Sequence, residues 1–267
     1  MQRLNMDLVV RDHVATVTFN RPERKNAWST DMEHEFRQLM QAASHDPEIR
    51  AVVITGAGSA FCVGADMERL GQTASRPDAN APASTMAASD DDYAQRYSWL
   101  LAIDKPVIAA INGAVAGVGL CLTLYCDLRY MAEGARMSTA FARRGLIAEH
   151  GSAWLLPRLI GPMNAADLLL SGRTLTAQEA QEMGLVRVLP ADDFAAQVQQ
   201  RAAELALLSS PRSVRIIKRQ LRDATHQSLA SAIQFADAQT VLCRDSEDFK
   251  EGVASFRQKR APHFTGH

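Results

Sequence analysis

Several common signals are missing from this chain. Its four cysteines, Cys62, Cys121, Cys126 and Cys243, have no CxxC spacing. Neither a zinc site nor a disulfide framework is expected, and the thiols read as reduced and buried. The net charge is −1, which leaves no electrostatic basis for binding nucleic acid or an anionic membrane surface. No uninterrupted apolar run reaches the roughly 18 residues of a membrane span. The opening MQRLNMDLVVRDH lacks the apolar core of a secretory signal, and a cytoplasmic protein is expected. Gly117-Val118-Gly119 is followed by Leu122 where a dinucleotide fingerprint requires its third small residue. No Gly-Lys-Ser/Thr follows either, so a P-loop is excluded.

What is present is apolar. Residues of that class make up 47% of the 267, enough for one large domain or one domain with an appendage. Leu8–Val10 and Val14–Phe19 read as a hairpin, and Arg21–Ala27 reads as a loop. Thr30 and Glu33 read as a capping box before the helical face Met32, Phe36, Leu39, Met40, Ala43. Ala51–Thr55 is a buried strand feeding the loop Ser59–Met67. From Gly71 to about Asp92 the chain is rich in Ala, Ser, Asp and Pro and reads as a surface loop, either a tolerated insertion or a lid. Strands follow near 127–131, 136–139 and 185–189. Helices are expected at Ser152–Ile160, Met163–Leu170 and from Thr176, and the pattern is helical from Asp193 to Lys259. Repeated βα units before a helical tail predict an α/β protein with a parallel sheet. Residues 1–192 are expected to form the core and 193–267 a helical interaction region.

The chain is organised around Lys105–Cys126, KPVIAAINGAVAGVGLCLTLYC. It reads as a buried strand, a turn at Asn112-Gly113 and a helix apolar on almost every side. Glycines at the start of a buried helix let a negative group approach free backbone N–H donors. The alternative is simple close packing of strand against helix. A second donor stretch is needed, and SAFCVGADM at Ser59–Met67 supplies one.

At these two stretches the chain resembles the crotonase (enoyl-CoA hydratase/isomerase) superfamily. The resemblance continues through NRPERKNA, GLIAEHGSAWLLPRLIG, SGRTLTAQEAQEMGLV and FRQKRAPHFTG in order. It implies a spiral of ββα turns with a C-terminal helical region that builds trimers or hexamers. It implies an acyl-CoA thioester substrate, with coenzyme A as part of the substrate and no separate cofactor or metal. The oxyanion-hole N–H groups map to Ala65 and Val118. Regions holding coenzyme A map to Arg24, Lys25 and Ala27, to Ala65, Asp66, Met67 and Glu68, and to Phe256 and Lys259 in the tail, the last two commonly serving a neighbouring subunit.

The family's hydratases use two glutamates to move the proton of a water. Those positions fall on Cys121 and Phe141 here. A phenyl ring cannot activate water, and Cys121 reads as a packed thiol. Glu149, in GLIAEHG, matches the acid of single-carboxylate members, among them double-bond isomerases, a ring-opening epoxide isomerase type and an aroyl-CoA dehalogenase. Glu149 is therefore expected to be the sole acid/base of an isomerase, its pKa raised by an apolar pocket. The alternatives are hydration through a rearranged site, other chemistry of the family, and a binder of acyl-CoA without catalysis. Without the resemblance Glu149 would read as an acid at the start of the Ser152 helix. His150 is a candidate to orient Glu149 or line the pocket. Asp127 is expected to satisfy buried backbone donors.

Overall fold

A computed structural model describes residues 5–66 and 91–267. Met67, Glu68 and most of the 71–92 segment lie outside the described residues. The N-terminal hairpin joins β1 (Met6–Arg11) to β2 (Val14–Phe19) through Asp12 and His13, both in the left-handed region at φ 50° and 60°. Such a turn matches the twist of the strands it joins. A single 3-10 turn (Pro22–Arg24) leads to α1 (Thr30–His45). Its N-cap is Ser29, whose Oγ accepts from the Met32 N–H, rather than Thr30 in a box with Glu33. Glu33 is turned elsewhere, as described below.

Two sheets then grow together. Strands β3 (Ala51–Gly56), β5 (Val107–Ile111), β7 (Leu128–Ala132) and β10 (Arg187–Leu189) extend the hairpin into a six-stranded sheet of order β1-β2-β3-β5-β7-β10. Each of the first three of these is followed at once by a three-residue strand, β4 (Ala60–Cys62), β6 (Ala114–Ala116) and β8 (Arg136–Ser138). These join β9 (Thr174–Thr176) in a second sheet of order β4-β6-β8-β9. All pairs are parallel except β1–β2 and β8–β9. The repeated step from one sheet to the other is the expected spiral. β6 lies between the Asn112-Gly113 turn and the central helix, where the sequence reads as a direct passage from turn to helix.

The helices are α2 (Val118–Leu124), α3 (Ser152–Ile160), α4 (Pro162–Ser171) and α5 (Ala177–Glu182). α6 (Phe194–Leu208), α7 (Pro211–Asp223), α8 (Leu229–Arg244) and α9 (Glu247–Gln258) follow. Thr176 and Glu179 form the expected capping box of α5, and Gly172 ends α4 with left-handed backbone. α6 packs on β2, β3 and β5, and its Phe194, Val198, Ala202 and Ala206 enter the main hydrophobic core. α7 is anchored by Lys218, whose Nζ donates to Asp127 Oδ2 at 2.7 Å and to the Lys105 carbonyl. The same Asp127 oxygen accepts the Val107 N–H at 2.7 Å, so Asp127 does hold a backbone donor at the end of β5.

Candidate active site

The parallel pairing of β4 with β6 brings two turns together. Ala60 stands opposite Ala114 and Cys62 opposite Val115, so both strands end at the same edge. The chain leaves β4 through Gly64 at φ 103° and leaves β6 through Gly117 at φ 53°. Both conformations favour glycine. A Cβ on Gly117 would lie 3.6 Å from the Gly64 Cα, so the two backbones are in van der Waals contact. Gly119 is needed for a different reason: a Cβ there would stand 2.4 Å from the Cys62 carbonyl oxygen. Its absence lets α2 press against β4.

The N–H groups after the two turns belong to Ala65 and Val118. Trp28 N–H donates to the Gly64 carbonyl at 2.8 Å and Asp66 N–H donates to the Trp28 carbonyl at 3.1 Å, which steps over the Ala65 N–H. At the other turn Gly117 N–H donates to Ser138 and Cys121 N–H to the Gly117 carbonyl. Val118 is in the first turn of α2, where N–H groups have no partner within the helix. Among the described residues, neither the Ala65 nor the Val118 N–H has an acceptor. Two free donors on adjoining turns are suited to hold one oxygen on which charge develops.

Glu149 stands beside α2. Its carbonyl accepts the Ser152 N–H at 3.0 Å and Oγ at 2.7 Å, and lies 3.7 Å from Cys121 Sγ. The next residue, His150, is left-handed at φ 53°, and its carbonyl accepts the Tyr125 O–H at 2.8 Å. Cys121 and Tyr125 are one turn apart on α2 and its C-cap, so the loop is fastened to that helix at two levels. The Glu149 carboxylate does not cap α3. Gly151 is the N-cap and no side chain bonds to the free donors there. The carboxylate instead has His150 Nε2 3.8 Å from its Oε2 and is 40% exposed, rather than enclosed in the apolar pocket the sequence led us to expect.

A family model described as enoyl-CoA hydratase/isomerase matches residues 10–267. The chain belongs to the enoyl-CoA hydratase/isomerase family. A 1,2-epoxyphenylacetyl-CoA isomerase of Escherichia coli (strain K12) is 33% identical over 258 residues, covering 96% of this chain and 97% of that protein. A probable enoyl-CoA hydratase of Mycobacterium bovis is 33% identical over 97% of both. A solved structure of a probable enoyl-CoA hydratase/isomerase from Mycobacterium abscessus superposes with a TM-score of 0.87 at 32% identity, over 98% of this chain and 99% of that one. The crotonase fold and membership in an enzyme family are thereby shown.

The two positions that the resemblance matches to hydratase glutamates, 121 and 141, hold no carboxylate. Burial pushes the Cys121 thiol up to about 12, and the neighbouring Glu149 charge adds to the effect. The residue is a packed thiol, as expected. Phe141 is buried at the start of a 3-10 turn, where its carbonyl accepts from Arg144 and Leu146.

The early loop candidates do meet the first turn. Val63 N–H donates to the Lys25 carbonyl, and Trp28 bridges Ala65. Asn26, fully buried, donates to the Ala57 and Ala60 carbonyls and fixes this loop to β4. Asp66 accepts from Arg21 at 3.3 Å and Arg24 at 3.2 Å, so the Arg24 guanidinium is engaged by a carboxylate and is not wholly available to a phosphate. Lys25 is exposed, with left-handed backbone, and Ala27 is buried. Phe256, 85% exposed, and Lys259 are placed elsewhere, at the end of α9, which packs on α8. Among the described residues, no group of three His, Cys, Asp or Glu is arranged to hold a metal ion, and no helix is long and apolar enough to cross a membrane.

Two features escaped the sequence reading. One is a cavity of about 650 Å³ that opens from His150 and Gly151 and runs past Tyr125, Leu155 and Trp154 to Leu221 of α7. The other is a partly buried polar cluster of Trp28, Glu33, Arg96 and Tyr97. Its members are separated by up to 69 residues along the chain, and no local pattern announces such a contact.

Proposed function

We propose that this family member is an acyl-CoA double-bond isomerase in which Glu149 is the only acid/base and the Ala65 and Val118 N–H groups hold the thioester oxygen. One observation carries the reading. The Glu149 backbone is fastened beside α2 through its carbonyl, which sets a carboxylate-bearing residue there, while positions 121 and 141 hold a buried thiol and a phenyl ring. Glu149 takes a proton from C2 of a 3-enoyl thioester. The C2–H electrons form a C1–C2 double bond and the carbonyl π electrons move onto the thioester oxygen, giving a dienolate in which the C3–C4 double bond is still present. The same carboxylic acid then delivers a proton to C4: the C3–C4 π electrons form the C4–H bond, the C1–C2 electrons become the C2–C3 double bond, and the thioester carbonyl is restored. Two preorganised donors contribute about 3 kcal/mol each to stabilising that oxygen.

The relatives divide on the question. The Escherichia coli protein is named an isomerase and several others probable hydratases. Hydration would have to proceed without carboxylates at 121 and 141, which favours the isomerase. The exposed apolar side chains of the last helices, among them Ile217, Leu229, Ile233 and Val241, support assembly as a homotrimer or hexamer. In that assembly Phe256 and Lys259 would reach a neighbour's coenzyme A. Free cysteines accord with a cytoplasmic setting.

The test is Glu149→Gln, which keeps shape and removes the base. Binding of a coenzyme A ester is expected to stay within a few-fold of the parent. Exchange of C2 hydrogen with D₂O should fall by roughly 10²–10⁴-fold, the range for a lost general base. Unchanged exchange would end the proposal.

A further inference from the structure

The Trp28 indole N–H donates to the Tyr97 hydroxyl at 3.0 Å, and that hydroxyl donates to Glu33 Oε2 at 3.1 Å. Arg96 grips the same carboxylate with two nitrogens, Nε lying 2.7 Å from Oε1. Trp28 and Tyr97 are almost wholly buried, at 2% and 1% exposure. At one end of this chain of contacts, the Trp28 backbone brackets Ala65 on both sides. At the other, the Tyr97 ring meets the His150 ring edge-on with centroids 5.0 Å apart, and His150 stands next to the Glu149 carboxylate. Tyr97 and His150 both hold left-handed backbone, at φ 70° and 53°. For a residue as bulky as Tyr97 that conformation is strained and persists only where the surroundings enforce it.

Resting on the reading of Glu149 as acid/base, we propose that Arg96, Glu33 and Tyr97 are positioning residues that tie the loop bearing Ala65 to the loop bearing Glu149, through Trp28 at one end and His150 at the other. The tie fixes the distance between the oxyanion donor and the base, on which the rate of proton transfer depends steeply. It also sets the charge beside the base. Burial, and then the Arg96 charge, push His150 down to about 4, against an opposing pull from Glu33. Glu33 stays ionised because Arg96 and Tyr97 outweigh the effect of its burial. A neutral His150 leaves Glu149 without a competing cation. The other groups around His150 are Tyr125 and Cys121 of the α2 region, with Arg222 and Lys218 of α7 and Asp92 and His226 across the same cavity.

The experiment compares the full-length protein with Arg96→Met, Arg96→Lys and Tyr97→Phe. His150 is followed by NMR of ¹³C-labelled histidine and assigned by loss of its signal in His150→Gln. In the parent, His150 should stay neutral down to about pH 5. In Arg96→Met the cation is gone and Glu33 remains, so the midpoint should rise, with burial still holding it below the ordinary histidine value, and Arg96→Lys should restore it. A charged His150 then pairs with Glu149 below that midpoint. kcat for C2 exchange should therefore fall on the acid side and recover as pH rises, with KM within two-fold. Tyr97→Phe should lower kcat at least 10-fold at every pH with KM little changed, and should lower the melting temperature as well, because the buried Trp28 N–H loses its acceptor. An unmoved His150 midpoint in Arg96→Met overturns the proposal, and so does parent-like kcat in Tyr97→Phe. So do equal losses in kcat and in coenzyme A ester affinity. The NMR arm reads the cluster without any turnover. A shifted midpoint in a protein that exchanges no C2 hydrogen would fault the isomerase reading and leave the cluster standing.

Discussion

Two helices of equal length meet opposite surroundings. α1 and α8 each have 16 residues. α1 buries Met32, Phe36, Met40 and Ala43 under the six-stranded sheet's hairpin, while α8 buries none of its side chains fully. On α1 the apolar residues recur every three or four positions, so one stripe faces the core and the exposed side is polar. On α8 the apolar residues Leu229, Ile233, Val241 and Leu242 face outward. Phe36 joins Phe19, Trp28 and Phe61 in edge-to-face contacts with centroids 5.3–5.8 Å apart. The region that holds the candidate site is thus closed within one chain. The last helices present the kind of surface that a second chain covers.

That contrast can be broken at either helix. The largest stability effect is expected at α1. Phe36→Ala removes a ring from the middle of the aromatic cluster and should cost about 3–5 kcal/mol, read as a lower denaturation midpoint. A loss under 1 kcal/mol would mean that the cluster collapses to fill the hole and that α1 is not as tightly held as its burial implies. The smaller effect belongs to α8. Ile233→Glu together with Val241→Glu changes only exposed positions, so the helical signal in circular dichroism should stay, with about 0.5 kcal/mol or less lost per site within one chain. On the proposed assembly through the last helices, the mass measured by sedimentation should fall from that of an oligomer to that of a single chain. An unchanged mass would move the contact surface to another part of the molecule.

Legibility followed the setting of a strand more than its length. The long strands and α1 have clear periods, and β3, β5 and β7 were read within two residues of their observed ends. β8 and β10, of three residues each, were also expected, at 136–139 and 185–189, whereas β4 and β6 stand in glycine-bearing stretches and passed for loop or turn. β9, equally short, was hidden in the capping sequence of α5. The two donor turns were legible because each needs glycine for a stated reason: left-handed backbone at Gly64 and Gly117, close approach at Gly119. Glu149 was legible only through the resemblance. Taken alone it reads as an acid at a helix start, yet its carboxylate makes no capping bond. Glu33 shows the reverse error. It has the spacing of a capping box with Thr30, but the N-cap is Ser29 and Arg96, 63 residues away, takes the carboxylate. Local spacing cannot outvote a distant partner that only the fold supplies.

The central claim is that one carboxylate moves a proton between two carbons of an acyl-CoA and does not activate water. The most direct test gives the native protein 3-enoyl and 2-enoyl esters of several chain lengths in D₂O. Double-bond position and deuterium content are then read by mass spectrometry. Migration of the double bond with isotope exchange at C2, and no product heavier by one water, is the predicted result. A 3-hydroxyacyl product from the 2-enoyl ester would contradict it, and would mean that the buried Phe141 and Cys121 do not mark the loss of hydration.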